Sequence, residues 1–421
     1  MNEKVDIVIK CGRLIDGTGA EPVEDGVIVI QGTKIAKVGT VNELKLPQDA
    51  TFIDASDKTV MPGLIDSHLH LYGMVTDDFL KEMYVRDEEV GIVKTVFDVQ
   101  DLLKAGFTTV KDCGSKGGLY VKKALQEPWA SARMQAPRII TAGYVTLSQT
   151  FGHADAHFFP LEYAKKENPG ICDGVPECIQ KARLALREGA DFIKIMASGG
   201  VLSQRDRPEH TQFTLNELKA IVREAEKVGT FVTAHCQGTE AIKLSIKAGV
   251  KTIDHAFYPD EEGLTLAKAN NVIFVPTLSI SHQINTGGIE AGYPEWGVRK
   301  SRESWEEVCK NIERAHKAGV PIAAATDFCG SELLKHGTNA MELELLVKEC
   351  GFTPMDAIVS ATQNGAKACG LEHQIGTLEA DKLADLLIVD GDPLQDISIL
   401  QDHAKIKGVM KEGVMEVNRG L

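Results

Sequence analysis

Pro62-Gly63-Leu64-Ile65-Asp66-Ser67-His68-Leu69-His70 is an apolar run that ends on two histidines spaced two apart. Side chains two apart on a strand share a face. A strand here would aim both imidazoles at one point, which suits a metal ion; two separately hydrogen-bonded histidines are the plainer reading. The run is the first of eight similar ones, over residues 60–67, 108–113, 138–142, 192–197, 231–236, 252–256, 272–278 and 322–327. Helical patterns such as 177–188, 215–228 and 302–318 fall between them. Near-continuous apolar strands alternating with helices predict a parallel sheet buried on both faces. Eight such units predict an α/β fold of the (β/α)8 TIM type. A doubly wound open sheet would gather its ligand chemistry at one crossover, whereas here unusual polar residues recur at the C-terminal ends of many strands.

Outside this middle the texture changes. Short strand patterns at 5–10, 26–31, 34–38 and 51–54 are separated by turn residues, and the same pattern returns at 384–389, 406–411 and 414–417. The two ends are expected to assemble a small β-sandwich domain from residues 1–60 and 376–421, with the barrel over 61–375. Long connections at 143–176 and 279–300 would lie over the barrel mouth as substrate lid and specificity loops.

Three more strand ends carry polar groups: His235, His255 and Asp327. Each alone reads as structural, but together with the histidine pair they read as a site, because barrel catalysis draws on the ends of several strands. Lys194 sits inside Phe192-Ile193-Lys194-Ile195-Met196, where every neighbour is apolar. A buried ammonium is costly unless paired or neutralised. It could pair with a nearby carboxylate or reach solvent; with histidines close by, the better reading is a carbamate formed with CO2, a carboxylate-like group able to bridge two cations.

The sequence resembles the amidohydrolase superfamily, in the branch of Xaa-Pro dipeptidase-like enzymes and relatives of imidazolonepropionase. The resemblance runs over nearly the whole chain. It is carried by Val60-Met61-Pro62-Gly63-Leu64-Ile65-Asp66, by Met196-Ala197-Ser198-Gly199-Gly200-Val201 after Lys194, by His336-Gly337-Thr338-Asn339-Ala340, and by Ala384-Asp385-Leu386 with Asp390-Gly391-Asp392-Pro393. It implies that His68, His70 and Asp327 hold one divalent metal ion and His235 and His255 a second, bridged by carbamylated Lys194. Zinc is the expected ion, with Mn, Co or Fe able to substitute. Cys236 after His235, the run Ala256-Phe257-Tyr258 and the stretch Thr150-Phe151-Gly152-His153-Ala154-Asp155-Ala156-His157 depart from the family pattern. They leave the metal set intact and bear on specificity.

The implied activity is hydrolysis of the amide C–N bond of a dipeptide or N-acyl amino acid; a cyclic amide, carbamate or urea is the alternative. A mononuclear deaminase or imidazolonepropionase site would lack the strand-four lysine, and an inactive scaffold would lack ligands. Asp327 is the expected acid–base group. His153 is a candidate to bind the scissile carbonyl oxygen or else packs its loop, and Tyr258 donates to substrate or caps its strand. Arg205 and Arg207 offer forks for a substrate carboxylate, or pair with Asp206 and Glu209.

The chain's 421 residues carry a net charge of -14, which argues against a nucleic-acid or anionic-membrane partner. No apolar run approaches the length of a membrane span, and the N-terminus lacks a secretory pattern. Nine cysteines without a C-x-x-C pair read as free thiols of a reducing compartment. A cytoplasmic enzyme is expected, acting on a small molecule as a homo-oligomer.

Overall fold

Gly63 marks where the chain passes from one sheet to another. The computed structural model describes residues 7–47, 49–78, 81, 82, 85 and 87–421. Strands β1 (Ile7–Leu14), β2 (Val23–Gln31), β3 (Lys34–Thr40) and β4 (Thr51–Pro62) precede this glycine, and β5 (Leu64–Leu69) follows it. A Cβ at Gly63 would fall 2.2 Å from Thr108 Oγ1, so only glycine lets the chain pass this close to the neighbouring strand. The single strand expected over 60–67 is therefore two elements. Residues 5 and 6 of the first expected strand lie outside the described residues.

The middle continues with β6 (Phe107–Asp112), β7 (Arg138–Thr141), β8 (Ile193–Met196), β9 (Val232–Cys236), β10 (Thr252–His255) and β11 (Ile273–Val275). The chain then closes on β12 (Leu386–Val389), β13 (Ile406–Lys411) and β14 (Val414–Asn418). These last three join the first four in one seven-stranded series, β14-β13-β12-β4-β1-β2-β3. Both ends of the chain thus build one sheet, its seam the antiparallel pairing of Leu386 to Val389 with Pro62 to Thr59.

The middle strands form two parallel groups, β5-β6-β7 and β8-β9-β10-β11. Every residue of β5, β6, β9 and β10 is buried, as expected of strands covered on both faces. Backbone bonds link the groups at both edges. Leu147 N donates to Lys194 O at 3.0 Å, and Met196 N to Leu147 O at 2.9 Å. On the other side Ala323 N donates to Phe274 O at 2.9 Å, Ser67 N to Ala324 O at 3.1 Å and Asp327 N to His68 O at 2.7 Å. The eighth expected strand, 322–327, is not a regular strand; only Ile322 makes a bridge, to Phe274. Pro321 before it has no N–H to give, and Asp327 at its end has a left-handed backbone, φ 60°, so the segment pairs in single bonds.

The helices Gly174–Glu188, Leu215–Glu226 and Glu295–Ala318 occupy the expected places. The connection 279–300 is largely helical: Leu278–Gly287 forms a helix, and the next begins at Glu295. The buried Glu342 accounts for the first, accepting from the N–H groups of Leu278 at 3.0 Å and Ser279 at 2.8 Å. The remote carboxyl caps the helix start, although burial pushes it up to about 8 against the pull of these N–H groups. Among the described residues no helix is long and apolar enough to cross a membrane.

Candidate metal centre and substrate cavity

Four imidazoles, a lysine and an aspartate meet where the parallel strands end. His68 and His70 present Nε2 to the same carboxylate oxygen, Asp327 Oδ1, at 3.3 and 3.1 Å. The His68 ring centroid lies 5.2 Å from that of His255, which lies 4.5 Å from that of His235. Two of the turns delivering these side chains use left-handed backbone at residues other than glycine, His255 at φ 72° and Asp327 at φ 60°, as does Thr277 (φ 52°), whose hydroxyl meets His255. Such positions cost about 1–3 kcal/mol each and cluster at functional sites. At His255 the left-handed backbone falls on the last residue of β10.

Each ring is tied on its far side. His70 Nδ1 lies 3.1 Å from Gly114 O and His235 Nε2 lies 3.1 Å from Gly199 O. A carbonyl only accepts, so both nitrogens carry the proton and leave lone pairs on His70 Nε2 and His235 Nδ1. His68 differs: its Nδ1 lies 2.9 Å from Asp254 Oδ2 and its Nε2 3.3 Å from Asp327 Oδ1, and although burial opposes its charge, Cys113 and these two carboxylates hold it well above the ordinary imidazole range. His255 Nδ1 is 2.7 Å from the buried Thr277 Oγ1. Histidines whose other nitrogen is fixed by a carbonyl or carboxylate are the arrangement that metal ligation requires. The ligand atoms of His68, His70 and Asp327 lie within 4.8 Å of one another, so this trio fits a cation. Burial pushes His255 down to about 3. It also holds His235 well below the ordinary imidazole range, with His153 and His255 adding to the effect.

Lys194 is 1% exposed and its Nζ donates to Asp254 Oδ2 at 2.7 Å. The ion-pair reading of the buried lysine is thus what its unmodified ammonium adopts. Burial opposes the charge of Asp254, yet Lys194 and His68 hold its carboxyl well below the usual range. Sequence reasoning passed over Asp254, although a lysine inside an apolar strand demands such a partner and β10 carries this one acid. Cys113, also unremarked, offers a third ligand-type atom within 4.8 Å of those of His68 and Asp254.

The cluster floors a cavity of about 460 Å3. Tyr144, His153, Phe158 and Tyr163 from the 143–176 connection and Ile280 and Ile284 from the helix Leu278–Gly287 line it, so both long connections border the site. His153 stacks on His235 with ring centroids 4.2 Å apart. Tyr258 does not reach this cavity; it borders a shallow one with Asn311 and Arg314, and Phe257 takes the inward place. Arg205 and Arg207 are exposed and do not line the cavity. Their expected acidic partner, Asp206, is buried between them and accepts from Gln212 Nε2 at 3.2 Å and Gly200 N at 3.2 Å.

A family model described as the amidohydrolase family matches residues 59–415. The chain is 32% identical to an ochratoxinase of Aspergillus niger, over 98% of its own length and 87% of that protein. It is 25% identical to an imidazolonepropionase of Alkaliphilus metalliredigens, over 94% and 92% of the two chains. Among solved structures, a Xaa-Pro dipeptidase with methionine bound in its active site superposes with a TM-score of 0.86 at 32% identity, covering 97% of this chain and 99% of that one.

Proposed function

This chain belongs to the amidohydrolase family, and from that premise we propose that it hydrolyses the C–N bond of a small amide at a two-metal centre. The observation carrying this reading is the convergence of His68, His70 and Asp327, each ring held from behind so that its Nε2 faces the same carboxylate oxygen. His68, His70 and Asp327 would hold one ion and His235 and His255 the other, with carbamylated Lys194 shared between them. Carbamylation would replace the Lys194–Asp254 pair: the ammonium loses one proton, the freed amine nitrogen bonds to the carbon of CO2 as one C=O π bond opens onto oxygen, and the nitrogen sheds a second proton to give the anionic carbamate. Imidazole and carboxylate ligands suit zinc, with Mn, Co or Fe as substitutes. Divalent cations bound here lower the pKa of a water molecule and polarise the scissile carbonyl.

The protein's own part is proton transfer, orientation and exclusion of solvent. Asp327 takes the proton given up by the attacking water and returns it to the leaving nitrogen. His153 contacts the substrate from the side of His235, and the apolar walls seat the acyl or amine portion. The parallel strands are read as a closed eight-unit barrel over 61–375, supported by the backbone bonds at both edges. Residues 1–60 and 376–421 are read as a β-sandwich domain. Ile9, Ile28, Ile35, Val60, Ile388 and Met410, from strands spread along the terminal series, share one core, as a sheet folded onto itself requires. Buried free thiols support a reducing, cytoplasmic compartment, and exposed Val93, Phe97 and Trp129 support association with further copies.

Dipeptides and N-acyl amino acids are one substrate class; neutral amides, carbamates and ureas are the other. A specific observation favours the second. Among the described residues the cations lining the cavity are Lys116, paired with Glu88, and Lys194, paired with Asp254, and Arg205 and Arg207 are exposed outside it. Arg205→Met and Arg207→Met are therefore expected to leave KM within about twofold. An N-acyl amino acid amide is expected to be cleaved at least as well as the corresponding acid. An acid preference of about tenfold, worth about 1.4 kcal/mol, would restore the dipeptide reading.

A further inference from the structure

His153 is held by a network that decides which of its nitrogens carries the proton. Its Nδ1 lies 2.9 Å from Ser203 Oγ. Ser203 Oγ in turn donates to Asp206 Oδ1, with Gly200 O a second acceptor at 3.3 Å. The single hydroxyl proton goes to one of these oxygens, so toward His153 the serine only accepts. The carboxylate is pinned as well. Asp206 is 1% exposed, and its Oδ2 receives Gln212 Nε2 at 3.2 Å. Gln212 cannot be turned around, because its Oε1 already accepts from the backbone N–H of His153 at 3.0 Å. Lys300 Nζ locks the segment by donating to the carbonyls of Gly200, Ser203 and Asp206 at 2.9, 2.7 and 2.6 Å. The ring lies so close over Gly200 that a Cβ there would sit 2.2 Å from His153 Cε1.

We propose that Ser203, Asp206 and Gln212 are positioning residues that fix neutral His153 as its Nδ1–H tautomer, so that Nε2 meets the substrate as a hydrogen-bond acceptor. The group it recognises is then a donor, an amide or amine N–H, and not the carbonyl oxygen. Secondary amides, which keep an N–H at the scissile bond, are selected over tertiary ones. The substrate preference rests on His153 contacting substrate, as in the function proposed above; the tautomer does not.

Nitrogen-15 NMR of histidine-labelled, zinc-loaded protein at about pH 8, where an ordinary imidazole is neutral, tests the tautomer directly. The His153 signals are identified by their loss in His153→Gln. The wild type is expected to show a protonated Nδ1 and an unprotonated Nε2, and Ser203→Ala to show exchange between both tautomers. A proton on Nε2 in the wild type, or the same spectrum in Ser203→Ala, would overturn the proposal; if the variant does not fold, the wild-type spectrum still decides. Kinetics on the anilide and N-methylanilide of one N-acyl amino acid test the consequence. Wild type is expected to favour the anilide through KM by about tenfold, the worth of one good hydrogen bond. Ser203→Ala should lose that preference and Ser203→Thr regain it. Equal KM values in wild type would overturn the donor selection. Turnover of neither compound by fully metallated enzyme would count against the proposed function, with the tautomer still read from the spectrum.

Discussion

Asp327→Asn is expected to lower kcat by about 100-fold or more, the lower range for losing a positioned acid–base group. Asparagine keeps the size and one oxygen but neither takes up nor returns a proton. Burial alone would push the Asp327 carboxyl up, yet His68 and His70 hold it well below the usual range. It therefore stands ionised. The substitution leaves the backbone bond from Asp327 N to His68 O in place, so thermal unfolding should change little. Steady-state kinetics beside a melting curve make the check. Near wild-type turnover would remove Asp327 from proton transfer.

Lys194→Ala carries the other large effect, on both stability and activity. With the ammonium gone, Asp254 remains a buried carboxylate without its strongest partner. In metal-free protein, where Lys194 is an unmodified ammonium paired with Asp254, breaking a buried pair in this way costs about 3–5 kcal/mol, readable by denaturant titration of that form. If Lys194 serves as a carbamate ligand, metal content and activity fall together in the same variant, and acetate or propionate partly restores both. The double variant Lys194→Ala/Asp254→Asn is expected to regain stability without regaining metal, which separates the ion pair from the ligand role. Full activity of Lys194→Ala would make the lysine structural only.

The candidate site was legible wherever strand alternation holds and unreadable where it breaks. His68, His70, His235, His255 and Asp327 announce themselves as polar residues closing apolar runs, and the structure gathers them. Of the two readings of Tyr258, contact with substrate or a cap on its strand, the first does not match its place outside the cavity, for a local reason. His255 and Ala256 both take positive φ, 72° and 51°, so the two-residue period is lost and Phe257, not Tyr258, faces the cavity. Of the two readings of Arg205 and Arg207, substrate forks or a solvated surface, their exposure fits the second. Asp206 between them is drawn inward by Ser203, Gln212 and the backbone of Gly200, in a stretch of bends and turns where no strand alternation guides a reading.

Other features depend on contacts between residues far apart in sequence. The helix Leu278–Gly287 inside the expected loop owes its start to Glu342, more than sixty residues on. Asp254 becomes meaningful only once Lys194 and His68 are seen beside it. The union of the two chain ends in one sheet was visible as a shared texture. Its seam at β4 and β12, and the passage at Gly63 that lets β4 run on into β5, rest on pairings and close approaches that no local pattern encodes.

The two-metal centre is tested most directly by counting ions against activity. Protein stripped with a chelator and titrated with zinc is expected to regain full activity as elemental analysis approaches two ions per chain, and to lose it again on renewed chelation. Full activity at one tightly held ion per chain, or in protein that binds none, would contradict the assignment.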